Sequence, residues 1–214
     1  MPLTLACLHT AESNATLFET AAAALPGGAL ALTHRIRPDL LRDPSPATLD
    51  EAAAVLRELA RGADAVLLTC STIGGAASRA RDAARPVLRA DAALAEAATR
   101  RGGLVEVLFA APTTEGPTRA IFEAAAARTG AIIRLHLVEG AWPLFLAGET
   151  AAYHAAIAQA ARGLPGRVVL AQASMAGAAT LMAEAPPLTV PAISVMAAAR
   201  AALKARETRQ GAVR

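Results

Sequence analysis

The chain has 214 residues, enough for one large domain or two packed lobes with a sizeable core. Apolar residues make up 54% of it but aromatics only 3%, so alanine and aliphatic side chains must build that core, and no apolar run reaches the roughly 18 residues a membrane helix needs. The net charge of +3 comes from arginines such as Arg79, Arg81, Arg85 and Arg89, read as lying along solvated helix faces; without interleaved aromatics or a nucleic-acid motif they argue against a nucleic-acid partner, while a positive surface suits a carboxylate.

The first β-leaning run, residues 3–8, ends on His9-Thr10 and is followed by a helical stretch at 14–24. A strand at 29–33 precedes a helix at 48–61, where Thr48-Leu49-Asp50-Glu51 fits a capping box. The strand at 65–69 runs into Cys70-Ser71-Thr72, and helices follow at 74–84 and 91–100. A strand at 104–110 leads to Pro112-Thr113-Thr114, then come a helix at 117–128, a strand at 132–138 and a helix at 149–161. The strand at 167–171 meets Ala173-Ser174, ahead of a helix at 176–184, a short strand at 188–190, a helix at 193–206 and a polar, frayed tail over 204–214. Strand–helix alternation predicts an α/β fold of parallel sheets flanked by helices, with ligands beyond the carboxyl ends of the strands. The N-terminus lacks the basic start of a secretory signal, so the expected setting is cytoplasmic, without a membrane partner.

Two segments repeat. Ala65-Val66-Leu67-Leu68-Thr69-Cys70-Ser71-Thr72-Ile73-Gly74 matches Val168-Val169-Leu170-Ala171-Gln172-Ala173-Ser174-Met175-Ala176-Gly177 about 103 positions later, which pairs Cys70 with Ala173. Leu5-Ala6-Cys7-Leu8-His9-Thr10, followed by Phe18-Glu19, lines up at about 104 with Phe109-Ala110-Ala111-Pro112-Thr113-Thr114, followed by Phe122-Glu123. Matches in the same order at nearly one offset predict a pseudo-twofold duplication. The expected domains are an N-terminal lobe over 1–100, a C-terminal lobe over 101–192, and a helix and tail over 193–214 that pack on the first lobe.

Cys70 is the leading chemical candidate: a thiol at a strand-to-helix turn is lowered in pKa by helix dipole and N–H donors, unless it is simply a small apolar residue closing a strand. Ser71 and Thr72 could hold a substrate carboxylate in the same turn. Cys7 lies inside a strand and reads as core. His9 closes that strand as an orienting or protonating imidazole, or as a structural histidine. Thr113 and Thr114 read equally as carboxylate donors or as a turn. Trp142 and Phe145 read as packing, and Glu139 as a solvated strand end. Two cysteines and four histidines without H-x-x-x-H spacing suggest neither a disulfide framework nor a metal, and Gly27-Gly28 and Gly74-Gly75 match no phosphate loop.

The Cys70-Ser71-Thr72 turn resembles the Cys-Asn-Thr turn of the aspartate/glutamate racemase superfamily, which includes hydantoin racemases, maleate isomerases and arylmalonate decarboxylases. Ala173-Ser174-Met175 resembles its second turn, Cys-Thr-His; His9-Thr10 and Pro112-Thr113-Thr114 fall where that family contacts substrate. The resemblance implies two similar α/β lobes with the active site between them, no cofactor and a small carboxylate substrate; the sequence leaves a homo-oligomer open. It implies catalytic roles for Cys70 and His9, and substrate contacts for Thr10, Ser71, Thr72, Thr113, Thr114, Ala173 and Ser174. The family's racemases use two cysteines, whereas Ala173 and Met175 carry no ionisable group at the second turn. That departure leaves three expectations: a one-thiol racemase- or isomerase-like enzyme, a decarboxylase of a substituted malonate, or a carboxylate-binding protein without catalysis.

Overall fold

The computed structural model of the chain describes residues 2–25, 30–43 and 45–212. Gly27, Gly28 and the first residue of the predicted strand at 29–33 lie outside them. The chain divides into two compact units, Met1–Ala90 with Ser194–Arg214, and Asp91–Ile193.

The first unit is built on β1 (Leu3–His9), α1 (Ser13–Ala23), β2 (Leu30–Ile36), α2 (Pro46–Gly62), β3 (Ala65–Leu68), α3 (Gly75–Arg79) and β4 (Val87–Arg89). Its four strands are parallel in the order β2-β1-β3-β4. The two central strands read as near-continuous apolar runs because both faces are covered, and Leu5, Cys7, Leu8, Val66 and Leu67 are fully buried. Edge strand β2 instead alternates in exposure. Burial of each such leucine contributes roughly 1.5–3 kcal/mol. Helix α2 lays Ala52, Ala53, Val55, Leu56 and Ala60 on the sheet. Its cap is Ser45, whose hydroxyl accepts the Thr48 N–H at 3.3 Å, with Pro46 in the first turn; the predicted box at Thr48 lies three residues too far along.

The second unit holds α4 (Ala90–Thr99, from Asp91 on), β5 (Leu104–Phe109), α5 (Glu115–Ala126), β6 (Ile132–Leu137), α6 (Ala141–Leu146), α7 (Thr150–Ala161), β7 (Arg167–Leu170) and β8 (Leu188–Thr189). Its sheet is again parallel, ordered β6-β5-β7-β8. The polar break in β5 is Glu106, fully buried, with one oxygen 2.7 Å from His136 Nε2 and the other 3.7 Å from an Arg134 nitrogen. The stretch predicted as helix at 176–184 is a 3-10 segment over Ala173–Leu181. Helix α8 (Val190–Ala212) closes the chain, and the tail expected to fray is helical to Ala212. From Ser194 onward α8 belongs to the first unit, where Val195, Ala198 and Ala202 are fully buried and Arg206 clamps Asp64 through two bonds of 2.9 and 2.6 Å. Among the described residues no helix is long and apolar enough to cross a membrane.

The two sheets match strand for strand. Thr69 N–H donates to Leu8 O, and Ala171 N–H donates to Leu108 O; Arg37 N–H donates to His9 O, and Val138 N–H to Phe109 O. His9 therefore corresponds to Phe109, not to Thr113 as the offset of 104 implied. The correction has a physical source: a 3-10 turn, Pro112–Thr114, lengthens the connection between β5 and α5. Beyond it the offset returns, since Phe18 and Phe122 are both buried, in α1 and α5 respectively.

Candidate active site

The carboxyl ends of β1 and β3 bring together His9, Thr10, Thr69, Cys70, Ser71 and Thr72 in the first unit. Cys70 is half-buried against the apolar core, Ser71 is half-buried and Thr72 exposed. The residues after Cys70 form a turn closed by Gly74 N–H on Ser71 O at 3.0 Å, and α3 begins only at Gly75. Cys70 therefore precedes the five-residue α3 by a full turn and is not in its first turn, contrary to the sequence expectation. Arg89, expected on a solvated helix face, ends strand β4. A Cβ on Gly74 would collide with its guanidinium, so that group lies directly against the Cys70 turn. Only long-range packing reveals this, because Arg89 is fifteen positions from Gly74 and stands in a strand of three residues.

His9 is fully buried and both of its ring nitrogens are engaged. Nδ1 lies 2.8 Å from Thr69 Oγ1, and the Thr69 hydroxyl donates to Leu8 O at 3.0 Å, which leaves its oxygen to accept the His9 Nδ1–H. Nε2 lies 2.8 Å from His34 Nδ1. Burial first, and the neighbouring charge of His34 second, pull the His9 pKa down to about 4. His9 thus orients Thr69, the residue before Cys70, and is neutral near pH 7. His34 in turn reaches Glu19 of α1, Nε2 to Oε1 at 2.9 Å. Cys7 is fully buried, and desolvation, with the charge of Glu19 behind it, pushes its thiol up to about 12. Thr10 is buried beside the end of β1.

In the second unit Gln172 Oε1 accepts the N–H groups of Ala110 and Ala111, at 2.6 and 3.0 Å, and so ties the ends of β5 and β7 together. Ala173 is buried and half-buried Ser174 bonds the Tyr153 hydroxyl at 2.9 Å; burial, opposed by that bond, pushes the Tyr153 phenol up to about 12. His154 Nε2 lies 3.2 Å from Ser174 O, and a Cβ on Gly177 would strike its ring. Thr114 donates its hydroxyl to Ala111 O at 2.7 Å, the bond of a turn, and Thr113 is exposed. Trp142 stacks on Phe145 at 5.0 Å, and Phe145 meets Tyr153 at 5.3 Å, so these aromatics serve packing. Glu139 is exposed.

The pairing of Cys70 with Ala173 depends on which end is counted from. Counted from the ladder, where Thr69 matches Ala171, Gln172 stands at the Cys70 position. Counted back from the crowded glycines, Gly74 and Gly177, Ala173 does. The second turn is one residue longer. On either count the second unit supplies no thiol, since the two cysteines are Cys7 and Cys70. A cavity of about 830 Å³ also lies in that unit, lined by Arg162, Leu164, Arg167, Thr180 and Met182, but none of the candidate residues lines it.

No protein-family model matches the sequence, and no curated protein sequence does. Solved structures match the fold. An aspartate racemase of Picrophilus torridus superposes with a TM-score of 0.73 at 10% identity, covering 94% of both chains. An allantoin racemase of Klebsiella pneumoniae gives 0.62 at 18%, over 92% of this chain and 86% of its own. A glutamate racemase isoform of Bacillus anthracis gives 0.57 at 14%, over 91% and 79%. The chain has the fold that these aspartate, allantoin and glutamate racemase structures have. At these identities the likeness is one of architecture.

Proposed function

We propose that this chain is a racemase- or isomerase-like enzyme that acts on a small carboxylate through Cys70 and needs no organic cofactor. The observation that carries this reading is the turn after β3, where a half-buried thiol is followed by two hydroxyl residues and abutted by the Arg89 guanidinium. A guanidinium and hydroxyls suit carboxylate oxygens and the negative charge that grows on them when an α-proton leaves. Cys70 as thiolate takes that proton, and Ser71, Thr72 and Arg89 hold the carboxylate. Thr69, fixed by His9, sets the direction in which the turn leaves the strand.

The absence of any thiol from the second unit favours chemistry with one base over two-thiol racemisation. Ser174 does not stand in, because its hydroxyl is bonded to a phenol that burial keeps protonated. Proton exchange of one enantiomer, thiol addition to a carbon–carbon double bond, and decarboxylation of a substituted malonate all fit a single thiol. Carboxylate binding without turnover is the competing reading, and it shares the same turn.

The test is incubation in D₂O with amino acids, hydantoins, maleate-like diacids and arylmalonates, read by proton NMR. Deuterium at Cα, a shifted double-bond geometry or loss of carbon dioxide names the reaction. Abolition of that signal in Cys70→Ser is expected. Turnover that survives Cys70→Ser defeats the proposal, and binding with no turnover of any class leaves the binder.

A further inference from the structure

A side-chain cluster from which the proposed chemistry uses only the His9 Nδ1 contact with Thr69 lies on the β1–β2 face of the first unit. Parallel register sets Cys7 opposite His34, and His9, two residues further along β1, shares the Cys7 face. One ligand atom from each of Cys7, His9 and His34 lies within 4.8 Å of the other two. We propose that these three residues form a binding site for a zinc-class divalent cation.

The outer nitrogens of both rings carry the argument. His9 Nδ1 gives its hydrogen to Thr69 Oγ1, whose own hydrogen is committed to Leu8 O. His34 Nε2 faces the Glu19 carboxylate, a group that only accepts. Held in this way, both rings donate outward and turn His9 Nε2 and His34 Nδ1 toward each other across 2.8 Å. Two lone pairs so placed need a cation between them, either one shared proton or a metal ion. Carboxylate and hydroxyl acceptors on the far nitrogens are the outer partners that ligating histidines use to fix tautomer and ring direction.

The Cys7 sulfur decides between the two cations. A shared proton has no use for a third donor, whereas one thiolate and two imidazoles make a borderline-soft set suited to Zn²⁺. Bond lengths of about 2.0–2.1 Å to nitrogen and 2.3 Å to sulfur set tetrahedral ligand atoms roughly 3.3–3.7 Å apart, so the rings need only part slightly. Charge also balances: one thiolate and the Glu19 carboxylate offset a divalent ion. The thiol proton, and any proton shared by the imidazoles, leaves for solvent as the metal enters. Phe18 closes the apolar side, with its ring 5.4 Å from that of His9, and the partly exposed His34 marks the open side, where water completes the coordination.

The test is titration of the chelator-treated, full-length protein with Co²⁺ and then Zn²⁺. One Co²⁺ per chain is expected, with a near-ultraviolet thiolate-to-cobalt band that Zn²⁺ abolishes on displacement. Cys70→Ser keeps the band and the stoichiometry, Cys7→Ser removes the band, and Glu19→Gln, on an exposed side chain, weakens affinity about tenfold. Zn²⁺ raises the thermal midpoint of the unaltered chain and excess chelator reverses the rise. If the unaltered chain takes up no Co²⁺, or if its band follows Cys70 instead of Cys7, the cluster holds only a proton and the proposal is overturned.

Discussion

The guanidinium of Arg89 occupies the space that a side chain on Gly74 would need. Close approach of that side chain, and not the backbone, favours a glycine there, since its φ of −54° suits any residue. The same device recurs at the second turn, where the His154 ring fills the place of a side chain on Gly177. Each turn is thus paired with a side chain from elsewhere in its own unit that can carry positive charge.

Gly74→Ala pushes the guanidinium aside while the flexible Arg89 stem adapts, so the thermal midpoint stays within a few degrees of the parent. The carboxylate concentration that half-protects Cys70 from iodoacetamide rises about tenfold, which is about 1.4 kcal/mol of lost binding. Malonate and aspartate serve as probes. Unchanged protection removes Arg89 from the carboxylate site.

The two cysteines differ in access. Cys7 is fully buried and its thiol is pushed up to about 12, whereas Cys70 is half-buried at a turn. Graded iodoacetamide followed by peptide mass spectrometry labels Cys70 first, and Cys7 only when the protein unfolds. Early labelling of Cys7 contradicts the placement of β1 at the centre of its sheet.

On the proposed one-thiol chemistry, the unmodified chain is expected to exchange one enantiomer of its substrate and to leave the mirror image untouched. Ala173→Cys adds an acid–base group at the second turn and brings two-way racemisation, with a gain on the order of 10²–10⁴. Gln172→Cys tests the alternative register. It frees the Ala110 and Ala111 N–H groups and lowers stability by about 1–3 kcal/mol. Chiral chromatography and thermal denaturation read the two effects separately, and rapid two-way racemisation by the unmodified chain shows that a non-thiol base serves the second face.

Asp64 anchors α8. The Arg206 hydrogen bonds, with the Thr4 N–H and the charges of Arg206 and Arg209 adding to them against a desolvation cost, hold its carboxyl below the ordinary value of 3.8. A carboxyl depressed in the folded state stabilises above its unfolded pKa, and that stabilisation is lost as pH falls through the folded value. Asp64→Asn is expected to lower stability by about 1–3 kcal/mol at pH 7, and the difference from the parent narrows as the pH drops below about 4. Urea denaturation at pH 7 and pH 3 checks this; a gap that widens in acid reverses the assigned sign.

Much of the architecture could be read from local pattern, because central parallel strands such as β1 and β3 leave dense apolar runs between alanine-rich helices. Strand β4 could not: three residues between Pro86 and Ala90 carry no periodicity. The capping residue of α2 was missed because two hydroxyl residues, Ser45 and Thr48, compete within one turn, and Pro46 tips the choice. At the site, Cys70 was visible from its motif. Arg89, His34, Gln172 and Tyr153 were not, since each reaches its partner from a different strand or helix. The Cys7-x-His9 alternation with a histidine in the neighbouring strand was the available sign of the buried cluster, but only the β1–β2 register gives it meaning.

The helix after each sheet is assigned to the other unit: α4 follows β4 yet belongs with the second, and α8 follows β8 yet belongs, from Ser194, with the first. Neither half of the polypeptide is therefore self-sufficient. A fragment ending near residue 100 would lack the Arg206 clamp on Asp64 and the apolar stripe of Val195, Ala198 and Ala202, and would carry an orphaned α4. The stretch of α8 from Ser194 onward thus completes the unit that was begun first, so the amino-terminal sheet is whole only once that helix has been made. The same connectivity makes two separately expressed halves complementary pieces, each carrying the helix that the other is missing.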